Sequence, residues 1–453
     1  VQSGASRRFF TALLVIAAVA CGVRIAFVLG VAQHDEQFYD AAYYELQARA
    51  IADGHGYTDP FEYLPHAPHR ARPSAEHPPL TVFAIVPVAV AGNVLGLDDE
   101  SSQLLMRFEI ALVGVGVVVL VGLLGRELAG DRAGLVAAGI AAVYPYLWVN
   151  DGLIMSEAFA AAAVTGALLL VLRLARGSNL RLAFAVGLVC GVAALARAEL
   201  LLLAPLFGLP LLWTFRRESW ARRFAVVGVV AGGTLLVVGP WVAFNLSRFE
   251  DPTLISTNDG IAMLASNCDS MFWGRSTGLT DLTGCLPKHP PPGDQSVVSR
   301  IYRQRAIDYV EQGRKGRFVT VLAARVGRDW GLFRPGDMLA WNAAEGRPRW
   351  VTGLGMAFYY PLLVAAVGGI VVLRRRRTRQ WPLLMPPIVV SVGAVLAYGQ
   401  TRFRVPAEPT IVVLAAVAIA ALWSHWRPAA PAPVTAADAP DRVPGPEAAV
   451  SPG

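Results

Sequence analysis

Seven consecutive residues, His34-Asp35-Glu36-Gln37-Phe38-Tyr39-Asp40, form the densest polar stretch of the chain and follow a long apolar run. Tyr39, Tyr43, Leu46 and Ala50 then recur at helical spacing, which predicts a short helix up to Ala52. A carboxylate at the start of such a helix, Asp35 or Glu36, can take a proton from an attacking hydroxyl or hold a metal. An acid pair at that point also caps a helix and complements its dipole. The residues alone leave both readings open. Asn150-Asp151-Gly152 and Met155-Ser156-Glu157 bring two more acids to the end of a later apolar run, so Asp35, Asp151 and Glu157 outline a candidate cleft. Arg197 and Glu199 interrupt an apolar stretch, either as an ion pair holding a hairpin or as a substrate contact. Arg402 and Arg404 flank Phe403 just before Val405-Pro406. In an extended turn both guanidinium groups point one way, toward a single anion such as phosphate. In a helical turn they separate, and one becomes the partner of a neighbouring acid.

Five of the seven histidines, His34, His55, His66, His69 and His77, share the first polar segment with these acids. No H-x-x-x-H or comparable spacing accompanies them, so a divalent metal is left open and not indicated. His77 differs in standing immediately before Pro78-Pro79 and an apolar run, and Tyr57 ends the turn-rich Asp53-Gly54-His55-Gly56.

The elements that must position these residues are membrane helices. Of 453 residues 55% are hydrophobic and only 16% charged, with a mean hydropathy of +0.47. A soluble domain carries roughly 25% charge, so much of this surface faces something other than water. A cytoplasmic enzyme, a nucleic-acid binder and a disordered chain are thereby excluded. The net charge of +7 comes from arginines clustered between apolar runs, with Lys288 and Lys315 the only lysines. Such arginine preference, with much Ala, Gly and Val, matches the coding bias of a GC-rich bacterial genome. Ten spans are expected, at 9–30, 105–125, 133–149, 158–172, 182–196, 200–215, 224–247, 351–373, 381–401 and 409–426. The first lacks an Ala-x-Ala-like cleavage site and is read as a retained helix.

Arginine placement sets the orientation, because short cytoplasmic connections are enriched in basic residues. Arg126 and Arg132, Arg173 to Arg181, Arg216 to Arg223 and Arg374 to Arg379 share one side, read as cytoplasmic together with both termini. Segment 31–104 holds three arginines against eleven acids and lies outside. This map requires that the uncharged run 78–97, with prolines at 78, 79 and 87, does not cross. The resulting organisation is a first transmembrane module over 7–247 that includes the outer loop 31–104, then an outer loop over 248–350 with an amphipathic helix from Ser299 to about Trp330. C-terminal spans over 351–426 and a disordered cytoplasmic tail over 427–453 complete it. Cys268 and Cys285 share the second outer loop, where an oxidising compartment favours a disulfide over two buried thiols.

Several short motifs recur in order along these elements: His34-Asp35-Glu36 with Tyr39, Ala50 to Tyr57, and His77-Pro78-Pro79-Leu80. Arg107, Met155-Ser156-Glu157, Leu195 to Glu199 and Arg402 to Pro406 complete the order. Together they resemble the GT-C-fold, polyprenyl-phosphate-sugar-dependent membrane glycosyltransferases, in particular the bacterial aminoarabinose transferases and protein O-mannosyltransferases. The resemblance covers most of 7–424 and implies an all-α polytopic protein with juxtamembrane helices in its outer loops. It also implies transfer of a sugar from a polyprenyl-phosphate donor to a lipid, cell-wall glycan or protein acceptor on the extracytoplasmic face of a bacterial plasma membrane, with inversion. Asp35 matches the family's catalytic aspartate and Glu36 adjoins it. Glu157 matches the motif of the second acid, and Asp151 its position at the end of a span. His77, where some relatives carry lysine, is an expected contact to donor phosphate or substrate, with Arg107, Tyr57, Arg402 and Arg404. No nucleotide cofactor is expected, since no Walker A or Gly-rich dinucleotide pattern occurs. The rival class is a lipid-linked glycan transporter or flippase; collection of polar groups at one face and not at mid-span favours the transferase. Neither the sugar nor the oligomeric state is readable from the chain.

Overall fold

The computed structural model describes residues 2–34, 39–67 and 70–426. Asp35, Glu36 and the tail expected after Arg427 lie outside them. Among the described residues all regular structure is helical, with one isolated bridge between Thr58 and Pro73 and no strand. Helix α1 (Gln2–Gly30) leads into a 3-10 turn at Ala32–His34, and α2 (Asp40–Ala52) and α3 (Leu80–Leu95) build the first loop. Helix α4 (Asp99–Ala129) begins where the Asp98 carboxylate accepts from Ser101 N at 2.8 Å, with Asp99 and Glu100 favourably placed against the helix dipole. It ends at Gly130, whose φ of 88° suits glycine and turns the chain into α5 (Asp131–Val143). Pro145 then opens α6 (Pro145–Trp148), and the segment 145–152 lies at 57° to α5.

Four helices follow: α7 (Glu157–Leu174), α8 (Leu180–Ala196), α9 (Leu203–Thr214) and α10 (Trp220–Leu246). The second loop holds α11 (Asn258–Ser266), α12 (Asp269–Phe272), α13 (Gln295–Glu311), α14 (Lys315–Asp329) and α15 (Pro335–Ala344). The chain returns through α16 (Arg349–Arg375), α17 (Trp381–Leu396) and α18 (Glu408–Trp426). Small residues let the bundle close. A Cβ at Gly233 would stand 2.7 Å from Phe184 O, so α8 and α10 touch backbone to backbone. Burial separates centre from rim: 83% of the most apolar window around α18 and 72% of that of α7 is enclosed, against 33% for α1 and α10 and 28% for α16.

Among the described residues six helices are long and apolar enough to cross a membrane, and a seventh counts if the bent 131–152 pair is one span. The expected number of ten is not confirmed. Three of the expected spans, 182–196, 200–215 and 381–401, are shorter apolar helices, and the 17 residues of α8 reach only about 26 Å. The 78–97 run forms the 16-residue α3. The amphipathic helix expected from Ser299 to Trp330 is two helices, because Gly313, at φ 83°, breaks it between α13 and α14. Cys268 and Cys285 are disulfide-bonded, with Cα atoms 5.8 Å apart.

Candidate functional site

Six chain segments meet in one buried charge cluster at the end of the bundle where α7 begins. Helix α2 contributes Asp40, the start of α7 Glu157, and the link after α8 Arg197 and Glu199. The second loop ends in Glu345 and Arg347, just before α16, and the turn after α17 contributes Gln400 and Arg402. His77 enters from the start of α3. Arg402 Nη2 donates to Asp40 Oδ2 at 2.7 Å, with Glu345 at 3.4 Å from its Nε and Glu157 at 3.9 Å from its Nη1. Arg347 donates from Nε to Asn150 Oδ1 at 2.9 Å and from Nη1 to Glu345 at 3.0 Å, and its Nη2 reaches Glu157 at 3.4 Å. Arg197 pairs with Glu199 at 2.7 Å and lies 3.7 Å from Glu157. Three guanidinium groups therefore surround the Oε1 atom of Glu157, while each also holds a carboxylate of its own.

The cluster is incompletely hydrogen-bonded. Glu157 Oε2, Arg402 Nε and His77 Nε2 are buried without a hydrogen-bond partner among the described residues. Buried polar groups are rarely left in that condition outside sites that take a ligand or water. His77 Nε2 is 3.5 Å from Asp40 Oδ1 and 3.9 Å from Glu76, and its ring packs against Tyr43 and Tyr44. Burial lowers the His77 pKa, which favours the neutral imidazole. Burial alone would raise Asp40, but the charge and hydrogen bond of Arg402, with His77 and Arg197 nearby, hold its carboxyl well below the usual carboxylate range. Asp40 is thus a fixed anion and a poor proton acceptor. Partly buried Glu76 behaves oppositely: burial, helped by Asp40 and Asp59, pushes its carboxyl up to about 8.

The sequence-derived candidates separate. Glu157, His77 and Arg402 converge on this cluster. Asp151 does not: it forms a buried pair with Arg24 of α1 at 2.7 Å and packs where Gly114 of α4 leaves room for it. Arg402 and Arg404 part company because residues 401–407 form a 3-10 helix. Arg404 turns into the bundle, pairs with Glu408 at 2.6 Å, lies 3.7 Å over the Tyr359 ring and donates to Asp329 O. Arg107 is buried and donates to Gly152 O at 2.6 Å. Tyr57 packs against Trp241 and Phe83, and its carbonyl accepts from Arg248. Asp35 and Glu36 lie outside the described residues, directly between the Ala32–His34 turn and Asp40. Among the described residues no group of three or more His, Cys, Asp and Glu side chains is placed to hold a metal ion.

Sequence reasoning passed over Glu345 and Arg347. They belong to no motif, and their one visible signal is a pair of opposite charges immediately before an apolar run.

Comparison with known proteins gives the fold a context. The dolichyl-phosphate-mannose-protein mannosyltransferase family matches residues 77–244, a stretch that includes His77, Arg107, Glu157 and Arg197. No curated protein matches the chain in sequence. Among solved structures, the archaeal oligosaccharyltransferase AglB from Archaeoglobus fulgidus, in complex with an inhibitory peptide and a dolichol-phosphate, aligns with a TM-score of 0.54 and 17% identity over 92% of this chain and 50% of that one. Its apo form gives 0.55 and 16% over 92% and 51%. ArnT from Cupriavidus metallidurans bound to undecaprenyl phosphate aligns over 94% of this chain and 79% of that one, with 14% identity and a TM-score of 0.40. The chain spans about half the length of the oligosaccharyltransferase. The chain shares its GT-C-like fold with that oligosaccharyltransferase.

Proposed function

We propose that the protein is an integral membrane glycosyltransferase that moves a sugar from a polyprenyl-phosphate donor to a hydroxyl of a lipid, cell-wall glycan or protein acceptor. The reaction takes place on the extracytoplasmic face, with both termini in the cytoplasm. The observation that carries this reading is the buried cluster around Glu157, with an open acceptor at Glu157 Oε2 and an open donor at Arg402 Nε among the described residues; in sequence, Asp35 and Glu36 shortly precede Asp40 of that cluster. A sugar phosphate supplies what these atoms lack: hydroxyls for a carboxylate and anionic oxygens for a guanidinium. Membrane helices around the cluster suit a donor whose isoprenoid stays in lipid while its sugar reaches the aqueous edge.

In the proposed reaction Asp35 takes the proton of the acceptor hydroxyl as that oxygen bonds to the anomeric carbon. The bond from the anomeric carbon to the phosphate oxygen breaks, and the electron pair leaves with the polyprenyl phosphate toward Arg402. Displacement from the opposite side inverts the anomeric configuration. Asp40, held as an anion by Arg402, positions that guanidinium and takes no proton.

The test is transfer by the purified protein in vesicles supplied with a polyprenyl-phosphate sugar and candidate acceptors, read as a mass increase of the acceptor. Asp35→Asn should lower turnover at least 100-fold, within the usual contribution of positioned proton transfer of about 10²–10⁴, with donor binding retained. A change in the leaflet distribution of the lipid without any acceptor product would make the protein a flippase.

A further inference from the structure

The end of the bundle opposite the charge cluster carries a second built feature. Helix α7 begins at Glu157 and ends at Leu174, so the two ends are separated by about 27 Å. The four turns 126–132, 173–181, 216–223 and 374–379 hold fourteen arginines against three acids, Glu127, Asp131 and Glu218. Two cavities open among them. One of about 340 Å³ is lined by Arg176, Thr378 and Arg379 together with Glu127 and the end of α7. The other, about 430 Å³, is lined by Thr214, Arg216, Trp381 and again Arg379. Arg379, which donates to Ala175 O, stands between the two. Both volumes fall in the roughly 300–1,000 Å³ range of small-molecule sites.

The lining asks for an anion with an apolar tail. The Trp381 indole N–H is buried without a hydrogen-bond partner among the described residues, at the wall of the larger cavity. Arg216 makes no side-chain hydrogen bond among the described residues, so its charge is available to a ligand. Glu127 already pairs with Arg173 and Arg176, so of the arginines lining the two cavities Arg216 and Arg379 have no acidic partner among the described residues. Leu209 and Trp213, half or more exposed, lead from the larger cavity along the exposed apolar side of α9. A phosphate alone would leave that apolar wall uncovered, and a neutral lipid would leave the arginines unmatched.

We propose that these paired cavities bind the headgroup of an anionic glycerophospholipid, its phosphate against Arg379 and Arg216, an ester or phosphate oxygen accepting from the Trp381 indole, and its acyl chains along α9. Basic pockets between membrane helices recognise such headgroups. The site is separate from the proposed transfer reaction and can be tested without it.

The experiment uses the full chain, purified in detergent and stripped of lipid, titrated with phosphatidylglycerol, phosphatidylcholine or inorganic phosphate and followed by native mass spectrometry and thermal midpoint. Phosphatidylglycerol should be retained and raise the midpoint, with little effect from the other two. Each arginine near an anionic lipid contributes roughly a five-fold factor in affinity, so Arg216→Gln with Arg379→Gln should weaken phosphatidylglycerol binding roughly 25-fold. Arg132→Gln with Arg217→Gln, an equal charge loss outside both cavities, should have a much smaller effect. Should the first double variant not fold, Trp381→Phe, which removes only the indole donor, should still weaken binding measurably. Equal binding of phosphatidylcholine, an equal midpoint shift with phosphate alone, or equal losses in both double variants would overturn the proposal. So would displacement of phosphatidylglycerol by a short-chain polyprenyl phosphate at equal concentration, which would give the cavities to the donor lipid.

Discussion

Replacing Arg24 with Met decides whether Asp151 serves structure or chemistry. Arg24 is 1% exposed within α1 and Asp151 4% exposed, and their Nε and Oδ2 atoms are 2.7 Å apart. Among the described residues the guanidinium has only weak further hydrogen bonds, to Ala20 O at 3.2 Å and Ala142 O at 3.4 Å. Removing it strands a carboxylate between α1 and α4, where breaking a buried pair costs about 3–5 kcal/mol. Asp151→Asn strands the guanidinium instead and should lose a comparable amount. Arg24→Met with Asp151→Leu removes both charges and should recover most of the stability, since apolar replacements of buried pairs are often neutral. Gly114→Ala offers an independent check. Its new Cβ would overlap the Asp151 carboxylate, and overpacking of this kind costs about 1–3 kcal/mol. The assay is thermal unfolding in detergent, paired with sugar transfer measured at a temperature where every variant is folded. A structural Asp151 gives a double variant that is stable and keeps turnover within about ten-fold, since an order of magnitude corresponds to 1.4 kcal/mol. A stable double variant with turnover down 100-fold or more would refute the reasoning and return Asp151 to the catalytic acids.

Three other outcomes follow from particular contacts. Arg402→Ala should weaken donor binding by roughly 10- to 150-fold, the equivalent of losing a charge-assisted contact of about 1.5–3 kcal/mol, whereas Arg404→Ala should chiefly destabilise by leaving the buried Glu408 carboxylate without its guanidinium partner, its hydrogen bond from the Tyr144 hydroxyl remaining; direct donor titration and thermal unfolding of both variants separate the two effects. Glu76 binds its proton more tightly in the folded state, so between the usual carboxylate range and about pH 8 the unfolded chain binds fewer protons and stability falls as pH rises. Glu76→Gln should flatten that slope, gaining relative stability at pH 8 and little at pH 5, and an unchanged slope in melting experiments would remove Glu76 as its source. Reduction of the Cys268–Cys285 bond, which closes a loop with a sequence separation of 17, should cost about 3 kcal/mol by the chain-entropy argument, detected as a lower midpoint with reductant that Cys268→Ser with Cys285→Ser reproduces.

The apolar runs were legible in the sequence because membrane helices are specified by composition over a single stretch, with no partner needed to define them. Helix starts such as Asp98 and the terminator Gly130 act on residues within one turn, and are equally local. Arg197 and Glu199, two residues apart, belong to the same class and do form a pair. What the sequence could not decide depends on rotation and on distance along the chain. Whether Arg402 and Arg404 share a target depends on the backbone between them: a strand aligns alternate residues, while a 3-10 helix with three residues per turn sets them about 120° apart. The bend between α5 and the 145–152 segment carries Asp151 toward Arg24, and the next turn presents Glu157 to the cluster, so position at the end of a span could not distinguish these two acids. Arg347 reaches Glu157 from almost two hundred residues away, Glu345 beside it pairs with Arg402, and only packing of α16 against the rest of the bundle brings them there. Buried ion pairs are tertiary objects: each charge is costly in apolar surroundings until a partner from another helix arrives, and nothing in the local sequence says which partner that is.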